Sequence, residues 1–456
     1  MVCGGRLCRV QRPLTHSPET RSVVDVNPFR GVLYNPEKVP DLKQVVTPPY
    51  DVINPEAQAI YHRRHPHNVI RLDLGEQFPD DSTTNNRYTR AAAYFKDWLK
   101  NQVFIQDNHP ALYRYEITYS LGHQRQTSKK TLRGFFAVVR LEPFSSGKIL
   151  PHENTFPKVK EDRLNLLRAC RANFSPIFAL YLDSEDRVQN LLEQGSSKAS
   201  LRIDFINEDQ THHRMWSAKD PGLIRKIQER LAPQILLIAD GHHRYETALA
   251  FREEYPKADH MLMLLVNMKD PGMSLLPIHR VMQNLSADRA ERLLKDLPRY
   301  FQVETNIPTL ASLQQRMEKS GQHQSTMGLY TDRGDYQLLI LKPEGLQKAR
   351  ALLNMPATST PLDVDIFDQL VLEELLGFKG GAADRGTYLL YIKDPEEGVE
   401  KVKRGKAQMA FFLNPVKIEV VQDLAREGIK MPHKSTYFYP KPLSGLVINT
   451  LPNHSA

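Results

Sequence analysis

The segment Ile238–Ala248, which reads IADGHHRYETA, constrains the fold more than any other part of the sequence. The apolar run Gln234–Ala239 predicts a buried strand, and the residues after Gly241 repeat apolar side chains at helical spacing. A glycine between the two allows the chain to turn sharply. The sequence therefore predicts a strand that runs directly into a helix, whose free N–H groups and positive dipole end favour a bound anion.

The same turn carries side chains that an anion would need. Asp240 and Gly241 are followed by His242, His243 and Arg244. The arginine offers a planar fork that suits phosphate oxygens, and the histidines can donate hydrogen bonds or carry a proton near neutral pH. We therefore predict that these five residues bind phosphate. Two alternatives stay open: the aspartate only caps the helix and the histidines are structural, or the aspartate and histidines hold a metal ion, although adjacent helical side chains point about 100° apart.

A second candidate is the loop and helix start Leu150–Arg163, LPHENTFPKVKEDR. The carboxylate of Glu153 could accept a hydroxyl proton, with His152 beside it as a further acid–base group. The basic residues of the segment, which could neutralise phosphate charge, are Lys158, Lys160 and Arg163. The alternative is a solvated segment in which Glu161 and Asp162 offset the basic residues.

The segment Thr47–Ile53, TPPYDVI, is a third candidate. Its paired prolines forbid a helix, so that Val45–Ile53 is predicted to be extended, with a rigid approach to Tyr50 and Asp51. Asp51 could act as a base or help to hold a cation, and Tyr50 could contact a substrate. An ordinary turn with an aspartate cap is an equal alternative.

A fourth candidate lies near the carboxyl end, in Met431–Gly445, MPHKSTYFYPKPLSG. Phosphate contacts could come from Lys434, Ser435 and Thr436. The following aromatic residues predict a strand, and an aromatic strand docked on the core is the alternative interpretation of the whole segment. The sequence has no glycine-rich P-loop, GxSxG elbow or Rossmann fingerprint, which weakens the ordinary NTPase, hydrolase and dehydrogenase interpretations.

Outside these motifs, helical and extended patterns alternate along the chain. Apolar residues at helical spacing predict a helix over 86–103, and aromatic and β-branched residues predict an antiparallel pair of strands over 111–121 and 131–141. Further strands are predicted at 177–182, 261–267, 326–330, 337–342, 387–392 and 410–413, with helices at 286–301, 363–376 and 419–426. This pattern predicts an α/β or α+β class, with mixed sheets and covering helices. The expected division is a disordered leader over 1–24, a phosphate-binding core over 25–305 and a C-terminal α+β domain over 306–456.

Composition excludes several classes of protein. No apolar run approaches the roughly 20 residues needed to cross a bilayer. Three cysteines, at positions 3, 8 and 170, give neither a disulfide framework nor metal-ligand spacing, which favours a reducing cytoplasm. The formal net charge of +8 is scattered, and the absence of zinc-finger spacing or a basic helix disfavours a nucleic-acid partner. We expect a cytoplasmic protein without a membrane anchor that binds a small molecule, and a homodimer stays open.

Four motifs together resemble a widespread, largely uncharacterised prokaryotic domain-of-unknown-function family over about residues 25–450: PPYDVI, LPHENTFPKVKEDRLNLLRACRANFSPIFALY, IADGHHRYETAL and MPHKSTYFYPK. The third is also similar to the phosphate-binding box of the ParB and sulfiredoxin superfamily, which includes CTP-hydrolysing partition proteins, ATP-using sulfiredoxins and free L-serine kinases. This resemblance implies a ParB/sulfiredoxin-like nucleotide-binding core in which Gly241, His242, His243 and Arg244 line the nucleotide phosphates.

Within that superfamily, the resemblance favours the kinases. Sulfiredoxins carry a cysteine in the box, where this sequence has His242, and no helix-turn-helix of a partition protein follows. The resulting hypothesis is phosphorylation of a small hydroxyl compound by ATP, ADP or CTP with Mg²⁺, in which Glu153 or Asp51 takes the hydroxyl proton. L-serine as acceptor, giving O-phosphoserine, is implied by the resemblance alone. The alternatives are a CTP- or ATP-binding regulatory switch and a phospho-amino-acid phosphatase.

Overall fold

The computed structural model describes residues 23–121, 129–197, 200–356, 359–378, 386–432 and 434–452, so that the predicted leader lies outside the described residues apart from positions 23 and 24. In chain order the strands are β1 (Val26–Asn27), β2 (Val32–Tyr34), β3 (Phe104–Gln106), β4 (Leu112–Ser120), β5 (Lys129–Arg140), β6 (Ile149–Leu150), β7 (Ala172–Asn173), β8 (Ile177–Tyr181), β9 (Leu201–Ile206), β10 (His212–Ala218), β11 (Leu236–Asp240), β12 (His260–Asn267), β13 (Ser274–Leu276), β14 (His279–Met282), β15 (Phe301–Ile307), β16 (Thr326–Thr331), β17 (Tyr336–Leu341), β18 (Leu389–Ile392), β19 (Met409–Phe412), β20 (Tyr437–Tyr439) and β21 (Asn449–Thr450).

The helices pack on both sides of the sheets that these strands form. They are α1 (Pro55–Arg64), α2 (Ile70–Asp73), α3 (Arg87–Lys100), α4 (Pro157–Cys170), α5 (Arg187–Gln194), α6 (Pro221–Leu231), α7 (His242–Glu254), α8 (Ala287–Asp296), α9 (Leu310–Gly321), α10 (Pro343–Leu353), α11 (Asp363–Ile366) with a π-helical continuation (Phe367–Leu375), α12 (Pro395–Lys403) and α13 (Ile418–Arg426). Within the described ranges, no helix is long and apolar enough to span a lipid bilayer.

The first sheet is mixed and contains nine strands among the described residues, in the order β6-β11-β8-β12-β5-β4-β10-β9, with β1 also paired to β5. The predicted antiparallel pair is confirmed by β4 and β5, in which Tyr113 faces Phe136. β12 runs parallel to β8, and β11 runs antiparallel to it. The mixed α/β class predicted from the alternating patterns is therefore confirmed.

Both faces of this sheet are buried. Along β12, Leu262 and Leu264 belong to one apolar cluster, and their neighbours Met261 and Met263 belong to the other. The first cluster lies against α3, α4 and the chain's carboxyl end, and the second lies against α5, α6 and α7. Because side chains alternate between the faces of a strand, two covering layers require the continuous apolar runs that this sequence has in its central strands.

The second sheet is antiparallel, with six described strands in the order β15-β17-β16-β19-β14-β18. Its strands begin at His279, ahead of the position 305 at which the sequence predicts a boundary. After α13 the chain returns to pack against the first sheet, and there β20 forms a separate two-stranded sheet with β13 and β21 forms another with β7. The domain division at 305 stays a prediction, whereas the strand pairing itself changes from the first sheet to the second between Asn267 and His279.

The returning carboxyl-terminal segment is fixed firmly against the first sheet. Its buried apolar side chains are Leu443, Leu446, Val447 and Ile448. Ser444 exchanges backbone hydrogen bonds with Thr47, and its hydroxyl donates to Asp73 Oδ2 at 3.0 Å. Burial of each such apolar side chain contributes about 1.5–3 kcal/mol. This packing carries Lys441 to the end of β11, next to Asp240.

The expectation of extended chain throughout Val45–Ile53 is wrong for its last part. Tyr50–Val52 forms a 3₁₀ turn, with Val52 N–H donating to the carbonyl of Pro49 at 3.1 Å. Pro49 itself is extended, with φ −56° and ψ 146°. Proline restricts its own φ and the residue before it, so a turn can begin immediately after the pair.

Candidate active site

The turn between β11 and α7 has the predicted form. Gly241 lies between Asp240 and the first helical residue His242, with φ +97°, a left-handed conformation that glycine adopts without strain. A Cβ atom there would lie 3.0 Å from Arg244 Nη2. Among the described residues no side chain caps α7, so its first N–H groups are available to an anion, and Asp240 is not the helix cap.

Asp240 is instead the centre of a buried charge network. Arg244 Nη2 donates to Asp240 Oδ2 at 2.6 Å, and Lys441 Nζ donates to Oδ1. Burial alone would raise the pKa of Asp240, but the charges of Lys441 and Arg244 hold it below the usual value, so the carboxylate is ionised. Arg244 Nη1 also donates to the carbonyl oxygen of Pro176. Both terminal nitrogens of Arg244 therefore already donate within the protein.

Tyr50 and Arg163 pack against this network. The Tyr50 ring lies between the guanidinium carbons of Arg163, at 4.1 Å, and Arg244, at 5.9 Å. Burial raises the pKa of Tyr50 to about 12, so the phenol is neutral. Arg163 is buried and donates to the carbonyl of Asp73 at 2.8 Å and to its Oδ1 at 3.1 Å. These contacts position the turn, and they leave Arg163 paired within the protein.

Two buried histidine rings adjoin the turn. His152 Nδ1 lies 2.8 Å from the carbonyl oxygen of Ile238 and must donate to it, which leaves Nε2 as the acceptor in the neutral ring. His242 Nε2 accepts from the His152 N–H at 3.2 Å, so the hydrogen of this ring is on Nδ1. Burial lowers the pKa of His152 to about 4 and the pKa of His242 well below its usual value. Both rings are therefore neutral at pH 7.

Glu153 lies between these two rings. Its Oε1 is 3.8 Å from His152 Nε2, and its Oε2 is 3.8 Å from His242 Nδ1. The side chain keeps 26% of its surface exposed, so a substrate can reach it. Burial raises the pKa of Glu153 to about 7 and the charge of Asp240 acts in the same direction, whereas Lys441 lowers it. A carboxylate whose pKa is near the working pH is well suited to accept a proton.

His243 and Lys160 contact the loop and the helices at its ends. His243 Nε2 accepts from the Phe156 N–H at 2.9 Å, and the two rings stack with their centroids 5.8 Å apart. Lys160 pairs with Glu246 at 2.8 Å, and Glu246 also accepts from the Thr155 hydroxyl. Lys158 is exposed on α4. His243 Nε2 and Lys160 are thus engaged in contacts with the loop and α7, and the role of His243 in lining phosphates stays a prediction.

The three predicted residues Lys434, Ser435 and Thr436 differ in how they contact the site. Thr436 Oγ1 is 3.5 Å from His152 Nε2, and the Ser435 hydroxyl donates to the carbonyl of Pro432 at 2.5 Å. The Lys434 charge lowers the pKa values of Glu153 and Asp240, which indicates that it faces the same space. Asp51 is exposed at the rim, with Oδ2 3.5 Å from Lys441 Nζ.

Three lysines near the site were not predicted from the sequence: Lys393, Lys430 and Lys441. Lys430 donates to the carbonyl of Glu153 at 3.2 Å, and Lys393 Nζ lies 3.6 Å from the centroid of the Tyr437 ring. Lys441 is the last residue of the KSTYFYPK motif, whose first residue is the predicted Lys434. The motif therefore contained a signal for Lys441 as well. Lys393 follows β18 in the second sheet, with no motif around it.

Comparisons with known proteins locate the chain among relatives. The sequence model of the family described as "Protein of unknown function (DUF1015)" matches residues 26–365. No curated protein matches the sequence. Solved structures with a similar fold include a free serine kinase in complex with AMP, with 15% identity, 69% of this chain and 91% of that chain covered, and a TM-score of 0.35.

Two further structures are similar to a comparable degree. A mutant free serine kinase in complex with ADP has 14% identity, with 72% of this chain and 96% of that chain covered, and a TM-score of 0.37. A conserved hypothetical protein from Pyrococcus furiosus has 14% identity, with 69% of this chain and 95% of that chain covered, and a TM-score of 0.34. Since the family model matches about three quarters of the sequence, the chain belongs to the family described as protein of unknown function DUF1015.

Proposed function

We propose that this protein is a nucleotide-dependent kinase that transfers a phosphoryl group to the hydroxyl of a small molecule. The observation that carries the proposal is the position of Glu153, a reachable carboxylate with a pKa of about 7 near the open N-terminus of α7, where Lys441 of the carboxyl-terminal segment is bound to Asp240. A proton acceptor next to an anion-binding turn is the pair of functions that hydroxyl phosphorylation requires. Free L-serine is the acceptor that the motif resemblance implies.

In this proposal the phosphates of the nucleotide bind at the open N-terminus of α7. The first N–H groups of the helix point at the anion, and Lys441 and Lys434 add positive charge. Arg244 acts as a positioning residue, because it is buried and its terminal nitrogens donate to Asp240 and Pro176. Through Asp240 it fixes Lys441 at the phosphate site.

The chemical step uses Glu153 as the base. The acceptor oxygen attacks the terminal phosphorus, its proton passes to a carboxylate oxygen of Glu153, and the bond between phosphorus and the bridging oxygen breaks. The bridging oxygen keeps the electron pair and leaves with the shortened nucleotide. His242 Nδ1, which carries the hydrogen of its ring, lies 3.8 Å from Glu153 Oε2, beyond hydrogen-bond distance, and the hydroxyl of Thr436 lies 3.5 Å from Nε2 of the neighbouring His152 ring.

Magnesium fits this site as an ion brought by the nucleotide. The described residues contain no group of three or more His, Cys, Asp and Glu side chains placed to hold a metal. Mg²⁺ commonly binds one or two carboxylates together with substrate phosphates, and the exposed carboxylate of Asp51 meets that demand. When bound, the ion would neutralise phosphate charge.

The test is formation of O-phosphoserine by the purified full-length chain with L-serine, Mg²⁺ and, separately, ATP, ADP or CTP. We expect product with at least one nucleotide, and a Glu153→Gln variant that still binds this nucleotide but makes product about 10²–10⁴-fold more slowly. Nucleotide binding without product from any small hydroxyl compound would contradict the kinase and support a regulatory switch. Phosphate release from O-phosphoserine without nucleotide would support a phosphatase.

A further inference from the structure

A cavity of about 230 Å³ adjoins the Asp240 site on the side of Lys441. Its walls come from the loop at Pro48 and Pro49, the first residues of β10, the segment from Tyr437 to Leu443 and the end of β18. Lys441 is shared, since it lines the cavity and also binds Asp240. A molecule in this cavity would therefore lie next to the proposed phosphate site without occupying it.

One wall of the cavity carries a continuous chain of hydrogen bonds from Asp209 to Tyr115. The Thr211 hydroxyl donates to Asp209 Oδ1 at 2.6 Å, so it accepts from His213 Nε2–H at 2.7 Å, and His213 Nδ1 accepts from the Tyr115 hydroxyl at 2.6 Å. Burial lowers the pKa of His213 to about 4, so the ring is neutral. The charge left on this wall is the exposed carboxylate of Asp209.

Lys393 also lines the cavity and brings a positive charge to it. Its ammonium lies over the Tyr437 ring, and no described carboxylate is within ion-pair distance of it. The charged groups that face it are Lys441, Lys434, Asp51 and Asp240. Lys441 is already paired with Asp240, so the positive charge of Lys393 is not balanced within the site. Burial lowers the pKa of Lys393 to about 8, and the charges of Lys441 and Lys434 act in the same direction.

The size of the cavity matches the smaller of the two substrates of a kinase. A water molecule takes about 30 Å³ in the liquid, so 230 Å³ corresponds to about eight waters. A ligand of about that many non-hydrogen atoms has the size of a hydroxy amino acid. A nucleoside triphosphate is several times larger.

We propose that this cavity is the acceptor site of the kinase, and that Lys393 binds a carboxylate of the acceptor while Asp209 receives its ammonium group. The inference rests on the proposed function and deepens it, because it names the substrate class as small zwitterionic hydroxy acids. It also gives the second sheet a part in the reaction, since Lys393 follows directly after β18.

The test compares steady-state kinetics of Lys393→Met, Lys393→Arg and a matched control, Lys406→Met, which replaces an exposed lysine outside the cavity. With L-serine we expect Lys393→Met to raise the acceptor KM at least 10-fold and to leave the nucleotide KM unchanged, with partial rescue by Lys393→Arg. L-serinamide, which lacks the carboxylate, should already bind weakly to the parent protein and should not respond to Lys393→Met. The control should behave as the parent protein does.

Three outcomes separate the inference from the proposed function. A rise of the nucleotide KM in Lys393→Met, with the acceptor KM unchanged, would assign the cavity to the nucleotide and overturn the inference while the kinase stands. Equal losses for L-serine and L-serinamide would also overturn it. If the parent protein forms no product at all, the proposed function fails, and calorimetric binding of L-serine to the parent protein and to Lys393→Met still decides whether the cavity binds a hydroxy acid through Lys393.

Discussion

One aspartate ends a strand of the first sheet and another lies beside the second sheet, and the two carboxylates differ in their burial and in their partners. Asp240, at the end of β11, contacts the cations of Arg244 and Lys441. Asp363, at the start of α11 beside the second sheet, accepts from the neutral amide of Asn414 at 3.0 Å. The charged partners hold the pKa of Asp240 below its usual value, whereas burial raises the pKa of Asp363 to about 6.

The difference shows what burial does when its effect is not offset. Burial disfavours the ionised carboxylate in both places, and only nearby positive charge reverses this. Asp363 lines a cavity of about 260 Å³ together with Lys417, but that lysine is not among the groups that shift its pKa. A carboxylate paired with two cations is therefore found at the first sheet, where Asp240 holds Lys441 near the open end of α7. The predictions below test this contrast.

The largest effect should come from a matched pair of lysine substitutions. Lys441→Met removes a cation from the proposed phosphate site, and we expect kcat/KM to fall about 10²–10³-fold, which is typical of losing one preorganised group that stabilises transition-state charge. Lys417→Met removes an exposed lysine at the Asp363 cavity and should leave kcat/KM unchanged. Phosphoserine formation measures both. Equal losses in the two variants would remove the contrast between the sheets.

The next effect concerns stability. Asp240→Asn leaves Arg244 and Lys441 without their anion in a buried site, and breaking a buried ion pair in this way costs about 3–5 kcal/mol. Asp363→Asn keeps an acceptor for the Asn414 amide and should change stability much less at pH 7. Thermal unfolding of both variants at pH 7 measures the difference. The pKa of Asp240 is lowered in the folded protein, so its stabilisation is present above the unfolded-state pKa and is lost as pH falls through the folded pKa.

The fold was largely predictable because its signals are local. The antiparallel pair β4 and β5, the apolar strands β8, β11 and β12, and the helix start after Gly241 each follow from patterns within about ten residues. The 3₁₀ turn at Tyr50–Val52 was missed because the proline pair restricts the residues before and at the prolines and leaves those after them free. The return of the chain from α13 to the first sheet has no local signal, because it depends on packing between distant segments.

The site was predictable only where its residues are contiguous. The turn Asp240–Arg244 and the neighbours His152 and Glu153 were found from their motifs, but the contacts of each side chain were not. Arg244 turns back to Asp240, and His243 turns to Phe156, because tertiary packing decides which way a helical side chain points. Lys441 reaches Asp240 across 201 positions of sequence, a pairing that no spacing rule indicates.

A smaller effect is expected in the pH dependence of the reaction. Glu153 must be ionised to accept a proton, and its pKa is about 7, so kcat/KM should rise about 10-fold between pH 6 and pH 8 and then level off. Lys434 lowers the pKa of Glu153, so Lys434→Met should move this limb to higher pH. Asp363→Asn should not move it, and a shift in that variant would show coupling between the two carboxylates.

The smallest effect is expected in the pH dependence of stability caused by Asp363, the carboxylate that has no cationic partner among the described residues. The pKa of Asp363 is raised from 3.8 to about 6 in the folded protein, so the unfolded state loses its proton first, and folding is penalised increasingly as pH rises from about 4 to above 6. Asp363→Asn removes the titration and keeps an oxygen that accepts from Asn414. The variant should therefore gain stability relative to the parent protein between pH 4 and pH 8, by about 1 kcal/mol after allowance for partial exposure. Unfolding midpoints across this range measure the gain, whereas the stability lost in Asp240→Asn should stay nearly constant over the same range, because Asp240 is ionised in both states above its unfolded-state pKa. A pH-independent difference between Asp363→Asn and the parent protein would mean that water or Asn414 already offsets the burial of Asp363.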